Sequence, residues 1–496
     1  MRERVKVPQS NVVVDYIVRP GLDHDSQDSF EPLMDLNRAH LVMLAAQQIV
    51  PRSRAAELMR VFHEVCDAGS AAITWDPALE EVYYNVETHI LKKAGMALGG
   101  QMHTGRSRND IIATLTRMFA RKRLLELVTF LHELRQMLFD LAEAHANTIV
   151  TGYTHMQPAQ PTTLGHYFHA IAYALERDEL RLQQAYEVVN RCPLGACAFN
   201  TTGFPIDRQM LANLTGFASV AENSIDAIAA RDYVPQVLSA LATMGTNLSR
   251  IAQDLYTWAT DEFGWIEVGD DVAATSSIMP QKKNPITLEH IRGKAAHLIG
   301  AVVTSLAALK GTPYGHLRDV STESTSPLRD GFFEAEAVLR LSTATLKTMR
   351  VKPEVAEART AYNFSTVTEL ADVMVRERGL SFREAHMVVG IVVGELCDRG
   401  GRTPDLTTDM LDRVAQERLG HALGLSEASL RNAVSATANV NIRCVQGGPA
   451  PSEALRSVKA SRERFAGQEA WWREREDELK AARHRLDIAA SELAKS

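Results

Sequence analysis

Hydrophobic residues recur every three or four positions over four long stretches of the chain, with polar residues between them. The first stretch begins near Asn109 and the second beyond Asp232, the third runs from Leu288 to Leu306, and the fourth covers Phe332–Met349. This spacing places the apolar side chains on one face of a helix. Helices of roughly 25 to 30 residues are about 40 Å long, and helix bundles are built from such pieces. We therefore predict an all-α fold with a long central helix bundle.

Shorter helical patterns flank these stretches on both sides. The first hundred residues mix them with turn signals, such as the run at 19–21, and helical spacing resumes over residues 366–393. The final run, 462–495, is highly charged and carries Trp471 and Trp472, which predicts an exposed helix that packs one aromatic face. The predicted division is a helical domain at 1–108, the bundle at 109–352, and a C-terminal helical domain with an extended tail at 353–496.

Length and charge narrow the class of protein. The chain has 496 residues, 45% of them hydrophobic, with 54 Lys and Arg against 61 Asp and Glu for a net charge of −7. This is a globular composition, too long for one hydrophobic core. The net charge is mildly negative, and the chain lacks the stripe of basic residues that binding to nucleic acid phosphates requires. No stretch approaches the roughly 20 apolar residues of a membrane span, and residues 1–9 lack the apolar core of a signal peptide. We expect a cytoplasmic protein that binds neither nucleic acid nor membrane.

The cysteines indicate neither a disulfide framework nor a metal site. There are five of them, an odd number, and they are widely scattered without a paired C-x-x-C. They are Cys66, Cys192, Cys197, Cys397 and Cys444. We predict reduced thiols and no bound metal.

One loop, the third segment (residues 275–285), concentrates polar and charged side chains. Pro280 and Pro285 exclude a helix through it. Its two hydroxyls, two ammonium groups and two carboxamides belong to Ser276, Ser277, Gln281, Lys282, Lys283 and Asn284. Such a set can receive negative charge that develops on a substrate carboxylate. Taken alone, the loop has the alternative interpretation of a solvated surface loop.

The first segment (residues 103–110) stands where the first long helix begins. It is rich in guanidinium, hydroxyl and amide donors, which at a helix N-terminus suit an anion. The alternative is structural: Ser107, Asn109 or Asp110 caps the helix, while Arg106 and Arg108 are solvated.

The second segment (residues 152–163) is too rich in Pro, Thr and Gln for a core element. Its His155 could titrate near neutrality and serve as an acid or a base. A lone histidine can equally be an interior residue with its hydrogen bonds satisfied, and the sequence leaves both interpretations open.

Together and in this order, the three segments resemble the three signature regions of the fumarase/aspartase superfamily. The pattern H-T-x-R-S-R-N-D in the first and S-S-I-M-P-Q-K-K-N-P in the third resemble its argininosuccinate lyase branch in particular. Other stretches also resemble that branch, namely residues 192–195, 204–208, 223–226, 231–233 and 382–386.

The resemblance implies an enzyme, a carbon–nitrogen lyase that releases fumarate. Its reaction would be the reversible β-elimination of an amine from an N-substituted aspartate. The resemblance also implies a three-domain helical subunit without a cofactor. Four such subunits would form a homotetramer, and each active site would take its three segments from different subunits.

The chemistry of this reaction explains the residue types. Removal of a Cβ proton beside a carboxylate produces a doubly charged aci-carboxylate, which needs a base and a cluster of cationic and amide donors. The resemblance implies Ser276 as the base, although a hydroxyl is a poor base unless ammonium and backbone N–H groups stabilise its alkoxide. Lys282 and Asn284 would hold the developing charge, and Glu289 would orient the site. His155 would lie beside the leaving group, as a proton donor or only as a binding group. The implied substrate-binding residues are Ser107, Arg108, Asn109, Thr154, Gln157 and Ser277.

Two departures from the branch concern the substrate. Thr275 occupies the place of a common glycine, which narrows the backbone freedom of the loop. In residues 314–324, the recognition stretch, a Tyr, a Gln and a Lys of the branch become His316, Ser321 and Ser324. The loss of an ammonium and two long polar groups changes which amine fits, since buried recognition groups left unpaired cost about 1 to 3 kcal/mol each. We therefore predict that His316 and Ser321 contact an amine other than arginine.

Two alternatives accompany this hypothesis. The first is argininosuccinate lyase proper, although the branch also includes enzymes of diamine-succinate compounds such as ethylenediamine disuccinate. The second is a catalytically silent structural relative. The joint presence of His155, Ser276, Lys282 and Asn284 argues against the second, because a structural role needs none of them.

Overall fold

A computed structural model describes residues 7–496 of the chain, apart from the side chains of residues 24, 25 and 27. Residues 1–6 lie outside the described residues. They belong to the predicted N-terminal domain and to the stretch 1–9, which is expected to lack a signal peptide. The fold is all-α, as predicted, with a few short strands.

The helices have the following bounds. Before the bundle they are α1 (Asn11–Val13), α2 (Arg19–Asp28), α3 (Phe30–Ala46), α4 (Arg52–Ala68), α5 (Val82–Ala94) and α6 (Met96–Gly99). In the central region they are α7 (Arg108–Ala144), α8 (Leu164–Val189), α9 (Arg208–Leu214), α10 (Ser224–Ala229), α11 (Tyr233–Trp258), α12 (Ile286–Leu309) and α13 (Pro327–Thr348). Beyond it they are α14 (Pro353–Thr360), α15 (Val367–Arg378), α16 (Phe382–Asp398), α17 (Thr408–Leu419), α18 (Glu427–Ala433), α19 (Ala436–Ile442) and α20 (Pro451–Ala494).

The strands form two-stranded ladders that punctuate the helices. They are β1 (Ile149–Thr154), β2 (Gln157–Thr163), β3 (Arg191–Cys192), β4 (Ser219–Val220), β5 (Ile266–Glu267), β6 (Ala274–Thr275), β7 (Lys283–Asn284) and β8 (Arg350–Val351). β3 and β4 are parallel, and the pairs β1–β2, β5–β8 and β6–β7 are antiparallel. Short π-helices occur at Val14–Val18 and Asp319–Glu323.

The four predicted long helices are confirmed as α7, α11, α12 and α13. The sequence analysis did not predict α8, the fifth long helix of the bundle. The turn predicted at 19–21 is wrong, because α2 passes through it. Pro20 is the second residue of α2, in the first turn, where a proline ring is tolerated, and the π-helix Val14–Val18 ends just before α2.

Three large hydrophobic cores organise the described part of the chain, beside one small cluster within residues 196–228. The largest joins the five long central helices, the second joins α3, α4 and α5, and the third lies within residues 370–433. The terminal helix α20 contributes Phe465 and Trp472 to the first core, and Ala490 and Leu493 to the second. Its aromatic face is therefore buried, as predicted. The division into three domains stays a prediction.

The long helices run back and forth, so the bundle has two distinct ends. α7 has 37 residues and is about 55 Å long. At its start, Arg117 donates hydrogen bonds to the last carbonyls of α8, those of Val188 and Val189, at 2.9 and 3.1 Å. Its guanidinium also lies 4.1 Å from the ring of Tyr233, the first residue of α11. We call this end of the bundle the α7-start end.

At the opposite end, β1 and β2 join the last turn of α7 to the first turn of α8. Tyr167 of α8 donates a 2.7 Å hydrogen bond to Asp254 near the end of α11. Tyr256 of α11 faces Glu289 in the first turn of α12 at 3.5 Å. We call this the hairpin end. None of the helices in residues 7–496 has the length and apolar character needed to cross a membrane.

Candidate active site

The first segment forms the N-terminal cap of α7. The Ser107 hydroxyl accepts the backbone N–H of Asn109 at 3.4 Å, and the Asp110 carboxylate accepts that of Ser107 at 3.0 Å. The other oxygen of Asp110 accepts the N–H groups of Gly195 and Cys197, both at 2.9 Å. Burial raises the pKa of Asp110 to about 6, against the lowering effect of these hydrogen bonds. Ser107 is thus the N-cap, as the structural interpretation allowed, and Asp110 completes a capping box from the third helical position. The cap fixes where the neighbouring side chains lie.

The two arginines of the first segment differ in environment. Arg108 lies 3.5 Å from Glu80 and 3.6 Å from Glu81, with its guanidinium 5.5 Å from the ring of Tyr84. Arg106 is only 5% exposed, so the alternative that both arginines are solvated is wrong for Arg106. Asn109 donates a side-chain hydrogen bond to the carbonyl of Ala198 at 3.1 Å.

A buried polar cluster supports the first segment from behind. Tyr83 donates to Glu87 at 2.9 Å and also contacts His103. Burial, and secondarily the charge of Arg106, lowers the pKa of His103 to about 4. His40 contacts the carbonyl of Thr104 through Nε2 at 2.8 Å. The first segment therefore rests on a hydrogen-bonded polar cluster in which burial lowers the pKa of both histidines and raises that of Glu87.

The second segment is a β-hairpin, which its composition did not predict. His155 and Met156 occupy its tip with φ of 52° and 57°, and Thr154 pairs with Gln157 across the turn. Two successive residues with positive φ form the turn type whose twist suits a tight hairpin. Thr154, His155 and Gln157 are exposed, so the interior alternative for His155 is wrong.

The third segment is an exposed loop between β6 and β7. The hydroxyl oxygen of Ser276 accepts the backbone N–H groups of Ile278 at 3.3 Å and Met279 at 3.0 Å. Two N–H donors at one oxygen favour negative charge there. Ser277 and Lys282 are exposed, and Asn284 is half-buried on β7.

The neighbouring Lys283 is anchored away from this hydroxyl. Its ammonium lies 2.6 Å from Asp270 and 3.2 Å from Glu267, and hydrogen bonding to Asp270 raises its pKa. These contacts hold the base of the loop. Of the two lysines in the third segment, Lys282 has no ion pair with a described residue.

Glu289 opens α12 directly after the third segment. It is exposed and borders an open groove with Ser249, Tyr256 and Arg292. Tyr256 donates to its carboxylate at 3.5 Å, and the Arg292 guanidinium lies 5.3 Å from the Tyr256 ring.

The recognition stretch returns to the α7-start end after α12. His316 is half-buried, and its pKa falls to about 4 through burial and the nearby charges of Arg231, Arg108 and Arg318. Ser321 is buried in the π-helix Asp319–Glu323, and its hydroxyl has no hydrogen-bond partner among residues 7–496.

Within one chain, the predicted site residues divide between the two ends of the bundle. The first segment and the recognition stretch lie at the α7-start end. The second and third segments lie at the hairpin end, where the Tyr153 ring packs 6.0 Å from Trp265, and β5, which follows Trp265, carries the Glu267 that binds Lys283. Because α7 separates the ends by about 55 Å, one chain does not unite all the segments.

Several supporting residues were not predicted from the sequence, above all Glu81, Tyr83 and Glu87. Asp110 was named as a possible cap, and its place in a capping box has a sequence signal, since a serine followed three residues later by an acidic residue is typical of that motif. Nothing in the sequence indicates that Glu81 pairs with Arg108, 27 positions away. Among the side chains that the structure describes, no group of three His, Cys, Asp or Glu is placed to hold a metal ion.

Comparison with known proteins places the chain in a family. The family described as Lyase matches residues 39–300, and Argininosuccinate lyase C-terminal matches residues 364–441. Argininosuccinate lyase 1 of Shouchella clausii is 42% identical over 456 residues, covering 92% of each chain. Argininosuccinate lyase of Methanosarcina barkeri is 41% identical over 427 residues, covering 86% of this chain and 85% of that protein.

Solved structures agree with the sequence relatives. A variant of EDDS lyase with bound fumarate superposes with a TM-score of 0.89 and 29% identity, covering 99% of this chain and 97% of that chain. A class II fumarase from Schistosoma mansoni, 16% identical and covering 83% of this chain and 90% of that chain, shares the fold with a TM-score of 0.67. The predicted fold and superfamily are thereby confirmed. The chain belongs to the argininosuccinate-lyase-like branch of the fumarase/aspartase superfamily and is a fumarate-releasing carbon–nitrogen lyase.

Proposed function

We propose that the enzyme catalyses the reversible β-elimination of an amine from an N-substituted aspartate, with Ser276 as the base. The Ser276 alkoxide takes a Cβ proton from a substrate whose nitrogen is protonated, the C–N bond breaks, and fumarate and the neutral amine leave. The proton on Ser276 then passes to solvent or to the released amine, which regenerates the alkoxide. The observation that supports this role is the pair of backbone N–H groups at the Ser276 hydroxyl oxygen, 3.0 and 3.3 Å away. They lower the cost of an alkoxide before the substrate contributes anything.

The other proposed roles follow from position. Lys282 and Asn284, six and eight residues beyond Ser276, hold the charge that develops on the substrate carboxylate. Glu289 orients the site from the first turn of α12, and His155 at the exposed hairpin tip contacts the departing amine. The proposed binding residues for the succinyl carboxylates are Ser107, Arg108, Asn109, Thr154, Gln157 and Ser277.

The proposed assembly is a homotetramer with shared sites, in the cytoplasm. A second copy that runs antiparallel brings its α7-start end beside the hairpin end of the first, which supplies the groups that one chain holds apart. An apolar face of α12 supports such packing, since Ile299, Val303 and Leu306 are 50%, 60% and 52% exposed in the single chain. Burial of that face between copies would remove it from water.

The proposed amine is not arginine, because His316 and Ser321 stand where the branch has a tyrosine and a glutamine. Argininosuccinate lyase proper remains the second candidate, and the 42% identity to the Shouchella clausii enzyme favours it. A silent structural relative is the third.

One assay separates the candidates. Purified protein is incubated with argininosuccinate while fumarate absorbance is followed, and in parallel with fumarate and a broad amine panel. We expect amine addition without efficient turnover of argininosuccinate. Efficient argininosuccinate turnover contradicts the proposed amine, and no reaction in either direction favours the silent relative.

Mixing two inactive variants tests the shared site. Ser276→Ala removes the base from the hairpin end, and Asn109→Ala alters the α7-start end. Refolding the two together yields hybrid tetramers in which some sites contain neither substitution. We expect the mixture to recover a sizeable fraction of parental activity, while each variant refolded alone stays inactive. A mixture as inactive as its components contradicts sharing between subunits.

A further inference from the structure

The helical arm that precedes α3 has apolar side chains on two sides. This N-terminal arm (residues 9–28) contains α1, the π-helix Val14–Val18 and α2 in direct succession. Val18 and Leu22 are buried on its inner side, where Leu22 joins the second hydrophobic core. The apolar side chains on its other side, which we call the outer arm face, are Val12, Tyr16 and Ile17.

The outer arm face is uncovered in the single chain. Its three side chains, in chain order, are 67%, 81% and 65% exposed. Tyr16 and Ile17 follow Val12 by about one helical turn, so the three share one side of the arm. A helix that is apolar on two sides is typically buried on both. The outer arm face therefore lacks a covering surface that the described part of the chain does not supply.

The arm lies at the α7-start end, next to the first segment. The Gln9 side chain donates a hydrogen bond to Glu80 at 3.2 Å, and Glu80 lies 3.5 Å from the guanidinium of Arg108. The π-helix of the arm packs on the short 3₁₀-helix Pro77–Leu79, which ends directly before Glu80. The side chain of Glu80 is thus all that lies between the arm and a residue that the proposed function assigns to carboxylate binding.

The proposed shared site brings the third segment of a partner subunit to this place. A base must come within about 3 Å of the proton that it removes, and a succinyl group is shorter than two turns of an α-helix, about 11 Å. Ser276 of the partner subunit must therefore lie close to Arg108. Ile278 and Met279, whose backbone N–H groups bind the Ser276 oxygen, arrive with it. In the single chain these two apolar side chains are 83% and 40% exposed.

We propose that the outer arm face of one subunit packs on Ile278 and Met279 of the partner subunit and covers the partner's third segment. The inference rests on the proposed function, because only a shared site brings that segment to the arm. The contact removes apolar surface of both partners from water. It also holds the exposed loop that carries the proposed base in one position and excludes water from the reacting atoms.

Cross-linking between two kinds of chain tests the contact. The exposed Cys397 and Cys444 are first replaced by serine. Tyr16→Cys chains are then refolded together with Ile278→Cys chains and treated with a short bismaleimide, and mass spectrometry identifies the joined peptides. We expect a cross-link between position 16 of one chain and position 278 of another. Ile488→Cys, an exposed isoleucine of α20, takes the place of Ile278→Cys in the matched control, where the cross-link should be lost.

Substitution of the outer arm face tests its effect on turnover. Tyr16→Ser combined with Ile17→Ser removes the apolar contact, so kcat of fumarate release should fall about tenfold, because the loop is less firmly positioned. Tyr16→Phe combined with Ile17→Leu keeps the contact and should keep the parental kcat. Leu455→Ser combined with Ile488→Ser is the matched control, since it alters two exposed apolar side chains of α20 and should also keep the parental kcat.

The inference and the proposed function fail in different ways. If active protein gives no cross-link between positions 16 and 278, or if its chains are joined through position 16 of both, the inference is overturned and the lyase function stands. A parental kcat of Tyr16→Ser combined with Ile17→Ser has the same meaning. If the parent adds no amine to fumarate, or if Ser276→Ala and Asn109→Ala do not complement each other, the proposed function or its shared site is overturned, and the inference with it.

Discussion

The two ends of the bundle place their polar groups in opposite ways. At the α7-start end, Asp110 is fully buried and holds three backbone N–H groups, while Arg108 is fixed by two glutamates. At the hairpin end, His155, Ser277 and Lys282 are exposed on turns, with little side-chain support. The proposed binding residues of the first segment are thus built into the fold of the chain. The proposed catalytic residues, together with the remaining binding residues Thr154, Gln157 and Ser277, are presented outward, where a second copy would complete the site.

The difference teaches which substitutions should affect stability and which should affect turnover alone. Groups at the α7-start end satisfy buried backbone, so their loss should be felt in unfolding. Groups at the hairpin end satisfy mostly their own loop. Substituting the same residue type at both ends tests this directly.

The largest expected effect is that of Ser276→Ala. We expect kcat to fall at least about 10³-fold, because the proposed base is lost, while the free energy of unfolding changes by less than about 0.5 kcal/mol. Steady-state fumarate release and thermal unfolding measure the two quantities.

Ser277→Ala is the control for that variant, one residue away on the same loop. It should raise KM with a much smaller change in kcat. If Ser277→Ala abolishes turnover while Ser276→Ala is nearly normal, then the base is Ser277, and the two N–H groups at Ser276 only shape the loop.

Asp110→Ala should have the largest effect on stability. Three backbone N–H groups lose their acceptor in a buried site, which costs about 3 kcal/mol. Chemical unfolding of Asp110→Ala, beside the exposed Glu492→Ala as a control, measures the loss. A cost similar to that of the control would contradict the proposed rigidity of the α7-start end.

The change in the free energy of unfolding that the titration of Asp110 causes should be smaller than the cost of Asp110→Ala. Burial raises the pKa of Asp110 to about 6 from its ordinary value of 3.8, so between these values the folded chain binds this proton more readily than the unfolded chain. Its contribution to stability therefore rises as the pH falls through 6. The free energy of unfolding of the parent, minus that of Asp110→Asn, should increase by about 1 kcal/mol from pH 7 to pH 5. A difference that shrinks instead would mean that the three N–H bonds outweigh burial.

Among the substitutions at the α7-start end, Ser107→Ala should have the smallest effect on stability. Loss of this N-cap should cost about 0.5 to 1 kcal/mol, because Asp110 still accepts the backbone N–H of residue 107. Thermal unfolding of Ser107→Ala and Ser276→Ala side by side compares one serine at each end. Equal shifts in the thermal unfolding midpoints of the two variants would contradict the proposed difference in rigidity between the two ends of the bundle.

The helices of the bundle could be predicted where one face is buried. The apolar stripes of α7, α11, α12 and α13 follow the helical period closely enough to be seen in the sequence. The second segment did not reveal its hairpin, because Pro158 and Pro161 argue against a strand and only pairing with β1 forms one. Pro20 and Gly21 led to the opposite error, because they predicted a turn where the structure has a helix. That helix, α2, continues from the π-helix Val14–Val18.

The candidate site could be predicted by residue type and not by arrangement. The residue types of the first and third segments predict hydrogen-bond donors for an anion. In the structure, the Ser276 hydroxyl oxygen accepts two backbone N–H groups. The pairing of Glu81 with both Arg108 and Arg318 depends on tertiary packing between distant parts of the chain. The separation of the two ends follows from the length and direction of α7 in the folded chain. No local sequence pattern indicates which segments lie at the same end of the bundle.

The length of α7 has a consequence for regulation by concentration. In the proposed shared site, α7 holds the two groups of site residues about 55 Å apart, so a lone subunit would be inactive even when every helix is intact. Dilution below the dissociation constant of the proposed assembly would then inactivate the enzyme reversibly, and specific activity would rise with protein concentration until all subunits are assembled.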